Sequence, residues 1–214
     1  MLSIISWRNV WRSKGRSFAV IGAIVLGIAA LTFSFAFMQS FMQVYIDNAI
    51  NDQYGHIQLH HPEFSANNEI RYQIENANQV IAGLKQNSLV SAVTSRTMIS
   101  GMANTAEGNS GVQIYGIIPE AEDHVFQLKK NIVDGAYFEG VSRNPILIGE
   151  DLAEKLEIKT KSKVVLTFTD ETGNLTTAAF RVAGIFDTNS PILNQSGAFV
   201  LQEDLERLLG AEMV

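Results

Sequence analysis

From Phe18 to Met38 the chain runs 21 residues without a charged side chain. As a helix rising 1.5 Å per residue, that stretch spans about 31 Å, the thickness of a bilayer's hydrocarbon core. Only Thr32 and Ser34 carry hydroxyls there, and both can bond back to their own helix. The charge-free run goes on to Ile46, so the helix is expected to continue beyond the bilayer. Phe37, Phe41 and Val44 fall at steps of four and three on one face of that extension. They form a stripe that suits either a partner helix or interfacial anchoring.

After the helix the periodicity changes. Gly55–His60 alternates, with Ile57 and Leu59 on one face, and predicts a short strand stopped by Pro62. Residues 70–86 carry Ile74, Ala77, Ile81 and Leu84 at helical steps. Val90–Met102 reads as strand, Glu107–Gly111 as a polar turn, and Val112–Ile118 as the returning strand. Ile146–Gly149 predicts a buried strand, followed by a helix over Glu150–Leu156. Lys163–Thr169 and Asn174–Ile185 flank the acidic turn Asp170–Gly173 as a hairpin. Gly197–Leu201 predicts a last strand and Gln202–Leu209 an amphipathic helix. The fold class is therefore α+β: one N-terminal transmembrane helix, then a mixed α/β extracytoplasmic domain. The expected segments are a basic flank over 1–16, the helix over 17–46 and the domain over 47–214. A change in strand and turn character near Asp134-Gly135 suggests lobes at 47–130 and 131–200.

Charge sets the orientation. The net charge of −6 divides into +4 over residues 1–16, from Arg8, Arg12, Lys14 and Arg16, and −10 over the rest. Basic residues precede the span, Asp47 and Asp52 follow it, and the next basic residue is Arg71. The positive-inside rule then puts the N-terminus in the cytoplasm and the main domain outside. A secretory signal peptide is the rival, with Ser34-Phe35-Ala36 as a cleavage site. The long basic start and an apolar run beyond 7–15 residues count against it. A helix over Leu2–Ser13 would set Ile4, Trp7 and Trp11 on one side beside Arg8 and Arg12, as an interfacial amphipathic helix. A positive-inside flank with aromatic anchors explains the same residues. The acidic domain argues against nucleic acid as a partner.

Candidate chemistry is sparse. With no cysteine, disulfides, Cys-based zinc sites and a thiol nucleophile are excluded. No phosphate loop, GxSxG or HExxH occurs. His56, His60 and His61 have metal-like spacing, but on a strand His56 and His60 would stand about 13 Å apart, too far for one ion. No metal, cofactor or catalytic residue is assigned. Glu122/Asp123 and Asp170/Glu171 sit beside turn and cap signals and read as solvated carboxylates. Asn174-Leu175-Thr176 and Asn194-Gln195-Ser196 are formal glycosylation sequons, without meaning in a bacterial chain.

The run Trp7-Arg8-Asn9-Val10-Trp11-Arg12, with Lys14 and Arg16 just before a long apolar helix, resembles the start of ABC transporter permeases of the MacB, LolC/LolE and FtsX group. Gly116-Ile117-Ile118-Pro119-Glu120 resembles a step of their periplasmic core domain. So do Ile132–Gly135, Ile146–Gly149 with Leu152-Ala153 and Leu156, Lys163–Leu166, and Phe180–Phe186, in that order. Gly55–Leu59 looks more like the lipoprotein-releasing branch.

The resemblance implies a bacterial inner-membrane subunit with four transmembrane helices, of which these residues cover the first and the periplasmic domain. It implies a cytoplasmic ABC ATPase, a second permease subunit (the same chain or another), membrane lipid, and a lipoprotein or periplasmic carrier as partners. Residues 1–16 would lie near the ATPase, and the Phe37, Phe41, Val44 stripe would pack on another helix. Two further readings stay open: a single-pass membrane-anchored binding or sensor module, and a secreted enzyme, against which the lack of a catalytic constellation weighs. Three more apolar spans downstream, or an ATPase that co-purifies, would decide for the permease.

Overall fold

The computed structural model describes residues 7–8, 11–64, 72–141, 143–170 and 173–210. The chain divides into two units, Met1–Asp47 and Asn48–Val214.

The first unit is dominated by helix α1 (Lys14–Ala49), 36 residues with no buried side chain. A helix apolar on all sides needs a nonpolar surrounding, and α1 is long and apolar enough to cross a membrane. Thr32 Oγ1 donates back to the Ile28 carbonyl, so its hydroxyl needs no water. Trp7 and Trp11 meet edge-on at 6.0 Å, as do Trp11 and Phe18. The expected interfacial helix over Leu2–Ser13 lies partly outside the described residues; Trp7, Arg8, Trp11 and Arg12 are helical.

The second unit opens with a π-helical turn, Ile50–Tyr54, closed by a hydrogen bond from the Gly55 N–H to the Ile50 carbonyl. Then follow α2 (Ala77–Lys85), β1 (Arg96–Asn104), β2 (Asn109–Ile117), α3 (Pro119–Phe126), β3 (Ile132–Gly135), β4 (Pro145–Gly149), α4 (Glu150–Lys155), β5 (Lys163–Thr169), β6 (Leu175–Phe186), α5 (Pro191–Ser196), β7 (Gly197–Leu201) and α6 (Gln202–Leu209). The strand order is β3-β6-β4-β7-β2-β1-β5, and β5 pairs again with the first half of β6. Six strands thus close into a ring, and β3 lies outside it on the second half of β6. The β2–β7 and β4–β6 pairs are parallel, and the others are antiparallel.

Strand alternation feeds two cores. Ile114, Ile146, Ile148, Ala198 and Val200 point to one, which α4 and α6 close with Leu152, Leu156, Leu205 and Leu209. Tyr115, Leu147 and Phe199 point to the other, with Phe186 and Leu193. Strand β4 is therefore buried on both faces, as its unbroken apolar run predicts. Gly116 of β2 makes room for α6: a Cβ there would come within 2.7 Å of Leu205 Cδ2.

The mixed α+β architecture and most of its elements match the expectation, but several parts do not. Gly55–His60 does not form a strand, and its Ile57 and Leu59 are exposed. The described part of the helix expected over 70–86 starts only at Ala77, after Asn76 in the left-handed region. Strand β1 starts at Arg96 rather than Val90, and its turn is only Thr105–Gly108. Thr105 tightens it: its N–H donates to the Gly108 carbonyl, and its Oγ1 accepts from the N–H groups of Glu107 and Gly108. Strands from 96–117 and from 145–201 share one ring within the unit Asn48–Val214.

Candidate functional site

The densest polar cluster described fastens the turn Ile50–Tyr54 to the rest of its unit. Two consecutive side chains, Asp52 and Gln53, do the work. Asp52 Oδ2 accepts hydrogen bonds from the Asn189 backbone N–H at 3.0 Å and from Asn189 Nδ2 at 2.9 Å. Gln53 Oε1 accepts from Ser190 Oγ at 2.9 Å. The Gln53 backbone carbonyl accepts from Arg96 Nη1 at 2.8 Å. That carbonyl sits in a π-helical turn, where the wider backbone path frees carbonyls from the α-helical pattern.

Arg96, at the start of β1, is the buried half of the attachment. Its Nε donates to Glu122 Oε1 at 2.8 Å, and its Nη2 stands against the same oxygen as an ionic contact. Thr94 Oγ1 donates to Glu122 Oε2 at 3.0 Å. Glu122 is fully buried, which corrects its reading as a solvated cap carboxylate. Its position on the inner face of α3 and the Arg96 cation explain why it stays inside. Asp123, beside it, does take a turn role, accepting from the Lys129 N–H at 3.1 Å. The guanidinium lies 3.8 Å from the centre of the Phe126 ring, with the Tyr115 and Phe199 rings at 5.8 and 5.9 Å. Arg96 thus caps the second core through a plane that a lysine could not offer.

Two tyrosines mark how dry this region is. Burial raises the Tyr115 phenol above its ordinary value, and the Arg96 charge opposes that. Tyr137 is raised further, first by burial and then by the carboxylates of Glu122, Asp123 and Glu120. Its hydroxyl donates to the Pro119 carbonyl at 3.0 Å and so fixes the first turn of α3.

The side chains singled out from sequence lie elsewhere. Lys14 and Arg16 sit at the start of α1. Phe37 stacks on Phe33 at 6.4 Å, and Phe37, Phe41 and Val44 are exposed along α1. His56 and His60 are exposed, and His61 Nδ1 accepts from the Glu63 N–H while its ring stacks on Tyr72. No group of metal-ligating side chains converges among the described residues. An open cleft of about 530 Å³ between α4, α5 and the start of β2 holds Asp151, Lys155, Gln195 and Ser196, with Lys155 Nζ donating to Ser110 Oγ at 2.9 Å. What the sequence reading missed is the attachment itself: Arg96 and Glu122 lie 26 residues apart, and Asp52 and Asn189 lie 137 apart.

The sequence matches the MacB-like periplasmic core domain over residues 17–210, which takes in α1 from its second turn and all of the ring. The chain belongs to that family. The MacB-like chain is therefore of the ABC-type permease group, and the matched range includes the turn Ile50–Tyr54. It is similar to the solved extracellular domain of the noncanonic ABC-type transporter YknZ from Gram-positive bacteria, at 22% identity and a TM-score of 0.44, covering 62% of this chain and 66% of that one. It is also similar to a domain of a permease protein from Porphyromonas gingivalis, at 18% identity and a TM-score of 0.36, covering 54% of this chain and 48% of that one. The MacB-like chain thus spans just under two thirds of the first of these structures and about half of the second. No curated protein matches it. Within the family segment Gly116–Glu120, Gly116 admits Leu205 and Pro119 opens α3, which carries Glu122.

Proposed function

We propose that this chain forms part of the membrane subunit of an ABC transporter in the bacterial inner membrane, coupling a separate cytoplasmic ATPase to a periplasmic domain. The observation that carries the reading is the family match over residues 17–210, a range that takes in most of the apolar helix, the turn Ile50–Tyr54 and the ring. The charge asymmetry supports a cytoplasmic N-terminus.

In this reading the work is mechanical. ATP-driven closure of the ATPase displaces the basic flank with Trp7, Arg8, Trp11, Arg12, Lys14 and Arg16, and with it α1. A helix transmits displacement along its length because its backbone bonds are internal. At the far end Asp52 and Gln53 tie the turn to β1 through Arg96 and to the loop before α5 through Asn189 and Ser190. The domain then changes how it holds its cargo, as one packed arrangement gives way to another. The Phe37, Phe41, Val44 stripe packs on a helix of a second permease subunit. The resemblance of Gly55–Leu59 to the lipoprotein-releasing branch favours lipoprotein release, with MacB-like export as the other outcome and a lipoprotein or periplasmic carrier as the outer partner.

The test is capture of the full chain from membranes of its own host in mild detergent, with the bound proteins identified. A Walker-motif ATPase in stoichiometric amount is expected, and Arg8→Gln with Arg12→Gln should release it while Lys14 and Arg16 keep the orientation. If no ATPase is retained, the permease reading fails and a membrane-anchored binding module remains.

A further inference from the structure

Asp52 and Gln53 are fastened to a loop, Asp187–Ser190, and a loop transmits nothing unless something holds its shape. One buried side chain does so. Asn194, on α5 and 8% exposed, spends its whole amide on that loop. Its Nδ2 donates to Asp187 Oδ1 at 2.6 Å and to the Thr188 carbonyl at 2.9 Å. Its Oδ1 accepts from the Thr188 N–H at 2.9 Å and from Thr188 Oγ1 at 3.0 Å. Thr188 Oγ1 in turn accepts from the Ser190 N–H at 3.3 Å. The result is a loop whose Asn189 N–H and amide and Ser190 hydroxyl all meet the turn. Engaged in this way, Asn194 is also no glycosylation acceptor, despite its formal sequon.

Behind Asn194 stands a wall without slack. A Cβ on Gly149 would come within 2.3 Å of the Asn194 carbonyl and 2.6 Å of the Leu193 carbonyl. On Gly197 it would come within 2.5 Å of the Leu193 carbonyl. The backbone of α5 is thus seated directly on the end of β4 and the start of β7, and Leu193 is inserted in the second core.

We propose that Asn194 is the positioning residue of the junction: it acts through Asn189 and Ser190 to hold Asp52 and Gln53, and so joins the turn Ile50–Tyr54 to β4 and β7 through α5. This is a second route into the ring, separate from the Arg96 route into β1. The anchoring does not depend on the transporter reading, and its test needs no ATPase.

The experiment is amide hydrogen exchange on the full chain in lipid nanodiscs, read by peptide. Asn194→Asp keeps the acceptor oxygen, loses the donor and sets a carboxylate against Asp187. Exchange in 50–54 and 187–190 should rise about tenfold or more, the effect of leaving a buried polar group unpaired, while 146–148 and 198–200 stay protected. The paired exchange Asp187→Asn with Asn194→Asp restores the reciprocal donor and should recover most of the protection. Thr188→Val, a milder change, keeps the test alive if Asn194→Asp does not fold; it should loosen both segments by a smaller factor. Loosening of 187–190 with 50–54 unchanged overturns the proposal. So does an even rise across the ring, or a paired exchange that rescues nothing.

Discussion

Arg96 is the residue whose loss the structure prices most clearly. Arg96→Met keeps much of the apolar contact with Phe126 but removes the cation. It leaves the Glu122 carboxylate fully buried with Thr94 as its remaining donor, and the Gln53 carbonyl without its Arg96 bond. Breaking a buried pair from one side costs about 3–5 kcal/mol. At roughly 2–4 °C per kcal/mol for a unit of this size, the melting temperature should fall by about 6–20 °C. Glu122→Met leaves the guanidinium without its counter-charge and should destabilise in the same sense. The double variant Arg96→Met with Glu122→Met removes both charges, and apolar replacement of a whole buried pair is often close to neutral. It should lie only about 1–2 kcal/mol below the parent, the cost of stranding the Gln53 carbonyl and the Thr94 hydroxyl. Thermal unfolding of the full chain in detergent, followed by near-ultraviolet circular dichroism, gives all four values. The reasoning is refuted if Arg96→Met lies within about 0.5 kcal/mol of the parent, the range of ordinary surface changes, or if the double variant loses the sum of the two singles.

Gly149→Ala should destabilise by about 1–3 kcal/mol, since a methyl there meets two carbonyl oxygens of α5; Gly111→Ala, with open space around it, is the matched control in the same melting assay. Tyr115 and Tyr137 have phenols raised in the fold above the ordinary 10.0, so the fold binds their protons more tightly than the unfolded chain does. Their contribution is complete below that value and is lost as pH rises past it; denaturant unfolding across the alkaline range should show the fall, and Tyr137→Phe should flatten it. Because the chain has no cysteine, Phe41→Cys gives a single thiol on the α1 stripe. Oxidation in membranes should join the introduced thiols of two copies as a disulfide, whereas its absence would exclude a second copy on this face of α1.

Elements whose side chains repeat locally were legible in the sequence. The apolar helix, β2, β4, the β5–β6 hairpin, β7 and α6 each carry their period within a few residues, and Gln202–Leu209 was placed to the residue. The short helices α3 and α5 were missed because each opens with a proline, which reads equally well as a turn. Gly55–His60 misled because alternation shows which face would be buried, not whether a neighbouring strand exists. The junction was out of reach for a different reason. The contacts of Arg96 with Glu122, of Asp52 with Asn189 and of Gln53 with Ser190 join residues far apart in sequence. No spacing rule links them, and only the closure of the ring brings them together.

The claim at the centre of this account is that the state of an ATPase reaches the domain through the turn Ile50–Tyr54. Hydrogen exchange on the full chain with its captured ATPase in nanodiscs tests it, with and without a non-hydrolysable ATP analogue. Nucleotide should change exchange in 50–54 and 187–190 while 146–148 in β4 stays protected. If those two segments exchange identically in both states, the turn carries no signal and the coupling account is wrong.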